Sequence, residues 1–163
     1  PPRSTLFPYT TLFRSARFHK SYHEALDDET FASFTPLRSM LQAGAIPALS
    51  TDAPVQPFDP FVQISGAVEH PVASESLSIH EALRAYSWAG AYGAFEEGDR
   101  GTLEPGKYAD FVPLDRDPFE TPPAELYRIR TLGTWTGGRP LHHPPEDPAG
   151  FIFRVLTSPR RKI

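Results

Sequence analysis

The pattern of apolar positions between residues 36 and 49 predicts a helix that is followed directly by a strand. The helix is predicted over residues 36–44, since proline suits its start and glycine its end. The apolar run over 45–49 predicts a short buried strand. This order of elements is typical of α/β folds. The helix owes its apolar stripe to three residues, Leu37, Met40 and Leu41.

Two more helices are predicted before residue 100. An Asp-Pro pair, suited to a cap and a first helical position, precedes a helix over 61–69. Ser78 and Glu81 form a capping-box pattern, which begins a helix that runs to about Ala91. Residues 16–35 are polar and irregular, and no element is predicted there.

Beyond residue 100 the pattern changes from helical to β. Residues 101–107 are rich in turn formers, and Pro105-Gly106 predicts a turn with glycine at positive φ. A strand is predicted from Tyr108 to Asp115, and a β-like segment over 129–136 ends at a Gly-Gly turn. A proline-rich connector separates these two segments.

Composition narrows the function classes. With 16 Lys+Arg and 20 Asp+Glu the net charge is −4, so neither nucleic acid nor a membrane surface is an expected partner. The absence of cysteine excludes disulfides and fits the cytoplasm. No apolar run in the sequence approaches the ~20 residues that span a bilayer. Composition leaves the oligomeric state open.

Residues 1–15 match nothing that follows them and resemble the conceptual translation of a sequencing adapter. We therefore exclude them from the fold prediction. If this interpretation holds, the native N-terminus lies upstream, and a signal peptide there stays open.

The residue that invites a chemical role is Asp52, which follows the predicted strand over 45–49. Catalytic groups and ligands gather at the C-terminal ends of strands in parallel α/β folds. An aspartate after a strand also serves as a turn former or helix cap. On that alternative, the chain is a non-catalytic binding or structural module with Asp52 as a loop cap.

Four blocks of sequence carry a resemblance to a known family. In order they are Pro36–Gly44, Ser50–Val55, Ser78–Ala91 and Gly101–Val112, the last reading Leu-Glu-Pro-Gly-Lys-Tyr-Ala-Asp-Phe-Val from its third residue. This series resembles the C-terminal part of metal-dependent amidohydrolases of the amidohydrolase family 3 group. The resemblance runs from about Pro36 to about Leu141.

The resemblance implies an α/β fold, the C-terminal fragment of a (β/α)₈ (TIM-like) barrel with the C-terminal part of a small β-sandwich. Residues 16–95 would end the barrel, 96–143 would belong to the sandwich, and 144–163 would form a tail. A barrel of this kind needs about 250 residues, so the chain would be a fragment. The implied reaction is hydrolysis of non-peptide C–N bonds, amide or cyclic amide, in small molecules; related barrels also hydrolyse phosphoesters.

For Asp52 the resemblance implies a catalytic residue that is also a metal ligand. The cofactor would be a divalent metal, zinc by family resemblance, in the full-length protein. The family's other ligands, including a His-x-His pair, come from upstream segments that this sequence does not contain. We therefore predict that this chain alone is inactive.

The remaining candidates are predicted to be structural. Residues His19, His23 and the pair 142–143 are expected at the surface, His80 in the first turn of a helix, and His70 in a loop without a partner. Asp110 is expected to form structural hydrogen bonds. Core packing is predicted for Phe58 and Phe61, ahead of lining a substrate mouth.

Overall fold

The computed structural model describes residues 24–33, 35–51 and 58–141. The predictions for residues 1–15, for His19, His23 and Asp52, and for the tail from 142 lie outside these ranges. The described elements, in chain order, are helices α1 (Asp28–Ala32), α2 (Leu37–Gln42) and α3 (Pro60–Val68), a first 3₁₀-helix (Ala73–Glu75), α4 (Ile79–Tyr86), α5 (Trp88–Gly93), a second 3₁₀-helix (Pro123–Arg128), and strands β1 (Trp135–Thr136) and β2 (Arg139–Pro140).

Helix α1 corrects the expectation that residues 16–35 are irregular, since 28–32 are helical. The carboxylate of Asp27 accepts hydrogen bonds from the backbone N–H of Thr30 at 2.8 Å and from its hydroxyl at 2.9 Å. A cap of this kind satisfies a donor that a short helix otherwise leaves exposed. The helix is held by its cap and lacks an apolar stripe, which is why hydrophobic periodicity missed it.

Helix α2 confirms the first predicted helix within a residue or two at each end. Pro36 precedes the first turn, and Gly44 follows the last with φ +80°, a backbone conformation that other residues resist. Along 45–51 the buried residues alternate with more exposed ones, as in a half-buried strand. This segment is no part of the described two-stranded sheet, but it has a β-bridge at Leu49. The predicted strand is therefore confirmed in its burial pattern and at that one position.

Helix α3 confirms the predicted helix over 61–69. The carboxylate of Asp59 accepts the N–H of Phe61 at 2.9 Å, and Pro60 takes the first position. Six of its nine residues are buried, so α3 runs through the interior with neighbours on most sides.

The helix predicted from Ser78 to about Ala91 is two helices, α4 and α5. The capping box at its start is confirmed, with Ser78 and Glu81 bonding each other's backbone N–H. The division falls at Ser87, whose backbone has φ −109° and ψ −79°. The hydroxyl of Ser87 donates to the carbonyl of Leu83 at 2.7 Å, a side-chain bond that competes with helical pairing.

The hydrophobic core is built mainly from α3, α4 and the second 3₁₀-helix. Leu126 and Ile129 are each 1 % exposed and complete this core, although Leu126 lies in the predicted proline-rich connector and Ile129 at the start of the predicted β-like segment. Phe61 is buried in this core, which confirms the prediction that it packs there. Phe58 was also predicted to pack in the core, but its side chain is 86 % exposed, so that prediction is wrong. The core consists of Leu37, Leu49, Phe61, Ile64, Ala67, Leu77, Ala82, Ala85, Leu126 and Ile129.

The β segment is shorter than predicted. Strands β1 and β2 pair antiparallel through the Gly137-Gly138 turn, where both glycines have positive φ as a type I′ hairpin requires. In place of a strand from Tyr108 to Asp115 there are two isolated bridges, Phe111 to Trp135 and Leu114 to Thr131. Pro113 lies between them and has no N–H to donate to a ladder. Gly106 has φ +93°, as expected of its turn.

Gln63 on α3 is a buried amide with 0 % exposure. Within the described part of the chain, neither its oxygen nor its nitrogen has a hydrogen-bond partner. A buried polar group without a partner costs about 1–3 kcal/mol.

We therefore expect Gln63→Met to raise the free energy of unfolding by about 1–3 kcal/mol, since methionine has similar length and no group to satisfy. Urea unfolding measures the change. Gln42→Met, on the exposed end of α2, is the control and should stay within about 0.5 kcal/mol of wild type. A destabilised Gln63→Met variant would show that the amide is satisfied in solution.

Candidate active site

The candidate active-site residue Asp52 lies in the undescribed stretch 52–57, and the structure describes the chain on both sides of it. On one side Thr51 is buried, and on the other Asp59 caps α3. The structure therefore shows which contacts hold the chain segment that precedes Asp52.

The segment that leads to Asp52 is attached to α4. The N–H of Leu49 donates to the carbonyl of Ala85 at 2.9 Å. Ala85 lies in the last turn of α4, where carbonyls lose their helical partners. The end of α4 thus supplies a hydrogen-bond acceptor that fixes the chain three residues before Asp52.

The start of α4 is attached to α2 by a bidentate ion pair. The Nη1 and Nη2 atoms of Arg38 donate to the two carboxylate oxygens of Glu81 at 2.6 and 2.8 Å. Nη2 also donates to the carbonyl of Ser76 at 2.9 Å. Hydrogen bonding from Arg38, with help from Ser78, lowers the pKa of Glu81 to about 2 against the opposing effect of burial. Glu81 therefore stays ionised at neutral pH.

A second carboxylate ties α2 to the first 3₁₀-helix. Glu75 is 8 % exposed and accepts the backbone N–H of Ser39 at 2.9 Å and its hydroxyl at 2.5 Å. Burial alone would raise the pKa of Glu75, but the bonds from Ser39 outweigh it and the pKa is lowered. Both carboxylates are engaged in holding α2.

The structure describes two of the histidines, His70 and His80. His70 is 6 % exposed, and the N–H of Val72 donates to its Nδ1 at 3.0 Å, so the expectation that His70 lacks a partner is wrong. His80 lies in the first turn of α4, as predicted, and its side chain is exposed. Among residues 24–33, 35–51 and 58–141, no three His, Asp or Glu side chains group as a metal site would require. These residues do not by themselves fit a catalytic metal.

A groove of about 980 Å³ runs between the helices and the β segment. Its charged residues are used structurally: Asp110 accepts the N–H of Gly137 at 2.8 Å and lies 3.6 Å from the Nη1 atom of Arg100. This confirms the structural role expected of Asp110. Apolar residues in its lining include Phe58, Phe61, Leu83, Leu103, Phe111 and Trp135.

Comparison with known protein families assigns the chain to a family. The sequence model for the amidohydrolase family, of the family 3 type, matches residues 11–142. The chain belongs to this family. The resemblance inferred from the four sequence blocks is thereby confirmed, and the chain is an amidohydrolase by family.

Two curated relatives support the assignment. The chain is 32 % identical over 110 residues to the N-substituted formamide deformylase of Arthrobacter pascens, covering 63 % of the chain and 20 % of that protein. It is 33 % identical over 113 residues to the LONG AFTER FAR-RED 3 protein of Arabidopsis thaliana, covering 64 % and 19 %. The amidohydrolase chain therefore spans about a fifth of the length of these relatives.

A solved structure shares the fold. The crystal structure of an amidohydrolase from Thermotoga maritima MSB8 matches with a TM-score of 0.51 at 24 % identity, over 66 % of this chain and 26 % of that one.

In the described part of the chain, no helix has both the length and the apolar character of a membrane span.

The residues that sequence analysis missed are Arg38 and Glu75, and the second role of Glu81. Both Arg38 and Glu81 lie in blocks that carry the family resemblance, which was a usable signal. No signal in the sequence indicated that these two residues pair across 43 positions, because only the fold brings the two blocks together.

Proposed function

We propose that this chain supplies the C-terminal part of a hydrolase that acts on non-peptide C–N bonds, amide or cyclic amide, in small molecules. The observation that carries the proposal is the family match over 11–142, which includes the Ser-Thr-Asp-Ala-Pro block of Asp52. A relative named for deformylating N-substituted formamides favours a C–N bond as the target. The cytoplasm is the proposed compartment, because the chain has no cysteine.

Within the longer protein, residues 16–95 would form the end of a (β/α)₈ barrel and 96–143 the C-terminal part of a β-sandwich. The described elements agree in order, since the α-helices precede residue 94, and the second 3₁₀-helix and the antiparallel β pairing follow residue 110. The likeness to the Thermotoga structure supports the fold. On this proposal the segment 45–49 is the eighth and last strand of the barrel.

Asp52 is the proposed catalytic residue and a proposed metal ligand. Its carboxylate would take a proton from the attacking water and return it to the leaving nitrogen, and the pKa of such a group decides how well it does both. Together with ligands from the longer protein, this carboxylate would hold a divalent cation, zinc in our proposal, which would supply a lowered pKa for a bound water, from about 15.7 towards 7. The other ligands would come from parts of the longer protein that lie outside this chain.

The chain alone is proposed to be inactive. It spans about a fifth of its relatives, and a single carboxylate does not provide the three protein ligands usual in catalytic zinc sites.

Two measurements test the proposal. Calorimetric titration of the chain with Zn²⁺ should show no tight stoichiometric site, and an assay with an N-substituted formamide should show no hydrolysis. Tight zinc binding that Asp52→Ala removes would overturn the inactivity. A longer protein that carries the chain should hydrolyse the formamide, and one that cleaves only a phosphoester would refute the proposed bond specificity.

A further inference from the structure

We propose that Arg38 and Glu81 are positioning residues for Asp52. They act through α4 on the segment of chain that ends at Thr51. The inference rests on the proposed role of Asp52, and it concerns two residues that touch neither substrate nor metal. Three connected contacts carry it, from α2 to α4, along α4, and from α4 to the Asp52 segment.

The first contact is geometrically specific. The planar guanidinium of Arg38 meets both carboxylate oxygens of Glu81, and its Nη2 also reaches the carbonyl of Ser76. A fork of this kind fixes orientation as well as distance, which a point charge does not. The two side chains are 29 % and 32 % exposed, so water screens the pair only in part. Because ion pairs that water reaches contribute little to the free energy of unfolding, the main effect of this pair is to fix geometry.

The second contact is the helix itself. Glu81 and Ala85 are separated by four residues, about one turn of α4, and the rigid backbone between them fixes their relative position. The helix ends directly after this turn, at Tyr86. Displacing Glu81 therefore displaces the carbonyl of Ala85.

The third contact links α4 to the candidate residue. Leu49 donates to that carbonyl at 2.9 Å, and Asp52 is three residues further along the chain. Three residues span at most about 11 Å even when extended. Thr51, one peptide bond before Asp52, is 9 % exposed and so has little freedom to adjust.

Two neighbouring ties help to isolate this route. Glu75 holds α2 through Ser39 without involving α4. The hydroxyl of Ser78 caps α4 at the N–H of Glu81, whatever Arg38 does. Loss of the Arg38 side chain thus leaves α2 and α4 each anchored, and it removes the direct coupling between them.

Amide hydrogen exchange of the 163-residue chain tests the coupling. The probe is the Leu49 amide, and the reference is the Trp135 amide, which donates to the carbonyl of Phe111 at 2.9 Å in the β segment and lies off the route. In Arg38→Met we expect the protection of Leu49 to fall about tenfold relative to Trp135. In Arg38→Lys, which keeps one charged donor, about half of that logarithmic loss should be restored.

Ser39→Ala is the matched control. It removes the neighbouring tie to Glu75 and should lower the protection of both amides together, leaving the Leu49-to-Trp135 ratio unchanged. Three results would overturn the inference. Arg38→Met could lower the protection of both amides equally, or the Leu49 amide could be unprotected in the wild-type chain. Ser39→Ala could also lower the protection ratio as much as Arg38→Met does.

The longer enzyme separates this inference from the proposed function. There, Arg38→Met should lower kcat several-fold with KM little changed, because it shifts a reacting group and leaves substrate contacts in place. If Asp52→Asn leaves kcat intact, the proposed function fails. If Asp52→Asn abolishes turnover and Arg38→Met changes neither kcat nor the exchange ratio, the positioning role fails.

Discussion

Replacing Asp52 with asparagine is expected to lower kcat of the longer protein by about 10²–10⁴-fold, the range that general acid–base catalysis contributes. Asparagine has nearly the shape of aspartate. Its neutral amide neither accepts nor returns a proton, and the amide oxygen is a weaker metal ligand than a carboxylate. Steady-state hydrolysis of an N-substituted formamide measures the change. Zinc content, determined alongside, shows whether lost metal accounts for part of it.

Asp59→Asn provides the matched control, since it makes the same chemical change seven residues away. Asp59 caps α3 through the N–H of Phe61, and asparagine caps helices about as well as aspartate does. We expect its kcat to stay within about twofold of wild type, because the capping preference is nearly equal. Equal losses in the two variants would point to folding, and an active Asp52→Asn enzyme would remove Asp52 from catalysis.

Phe61→Ala is expected to lower the free energy of unfolding of the chain by about 3–5 kcal/mol. Phe61 is 2 % exposed in the core, and truncation removes its buried ring and leaves a cavity. Domains are typically stable by only about 5–15 kcal/mol, so the variant should be unfolded in part at room temperature. Urea unfolding followed by the fluorescence of Trp88 and Trp135 gives the change.

Phe58→Ala removes the same side chain three positions earlier, where it is 86 % exposed. This variant should lie within about 0.5 kcal/mol of wild type, as surface substitutions usually do. A large loss in Phe58→Ala, or a loss below about 1 kcal/mol in Phe61→Ala, would place the core elsewhere than described.

The two phenylalanines also show where sequence reasoning succeeds and fails. Phe61 and Ile64 repeat at helical spacing on α3, and that pattern predicted burial correctly. Phe58 precedes the cap at Asp59 and belongs to no periodic stripe. Hydrophobicity alone assigned it to the core, and the fold leaves it at the surface.

Local chemistry was the more reliable guide. The caps at Asp59 and Ser78 and the positive φ of Gly44 and Gly106 depend on residues within a few positions, so the sequence predicts them well. The extents of the β segments were overestimated. Strand pairing depends on partners distant in sequence, and the proline at 113 interrupts the ladder.

For the candidate site, the sequence by itself determined the family, through four ordered blocks, and with it the choice of Asp52 as the residue to test. The tertiary structure alone decided that Arg38 lies against Glu81 and that Leu49 bonds to Ala85. The physical reason is one of range. Caps, turns and motifs are set by neighbours along the chain, whereas these contacts join residues about 40 positions apart that only the packed core brings together.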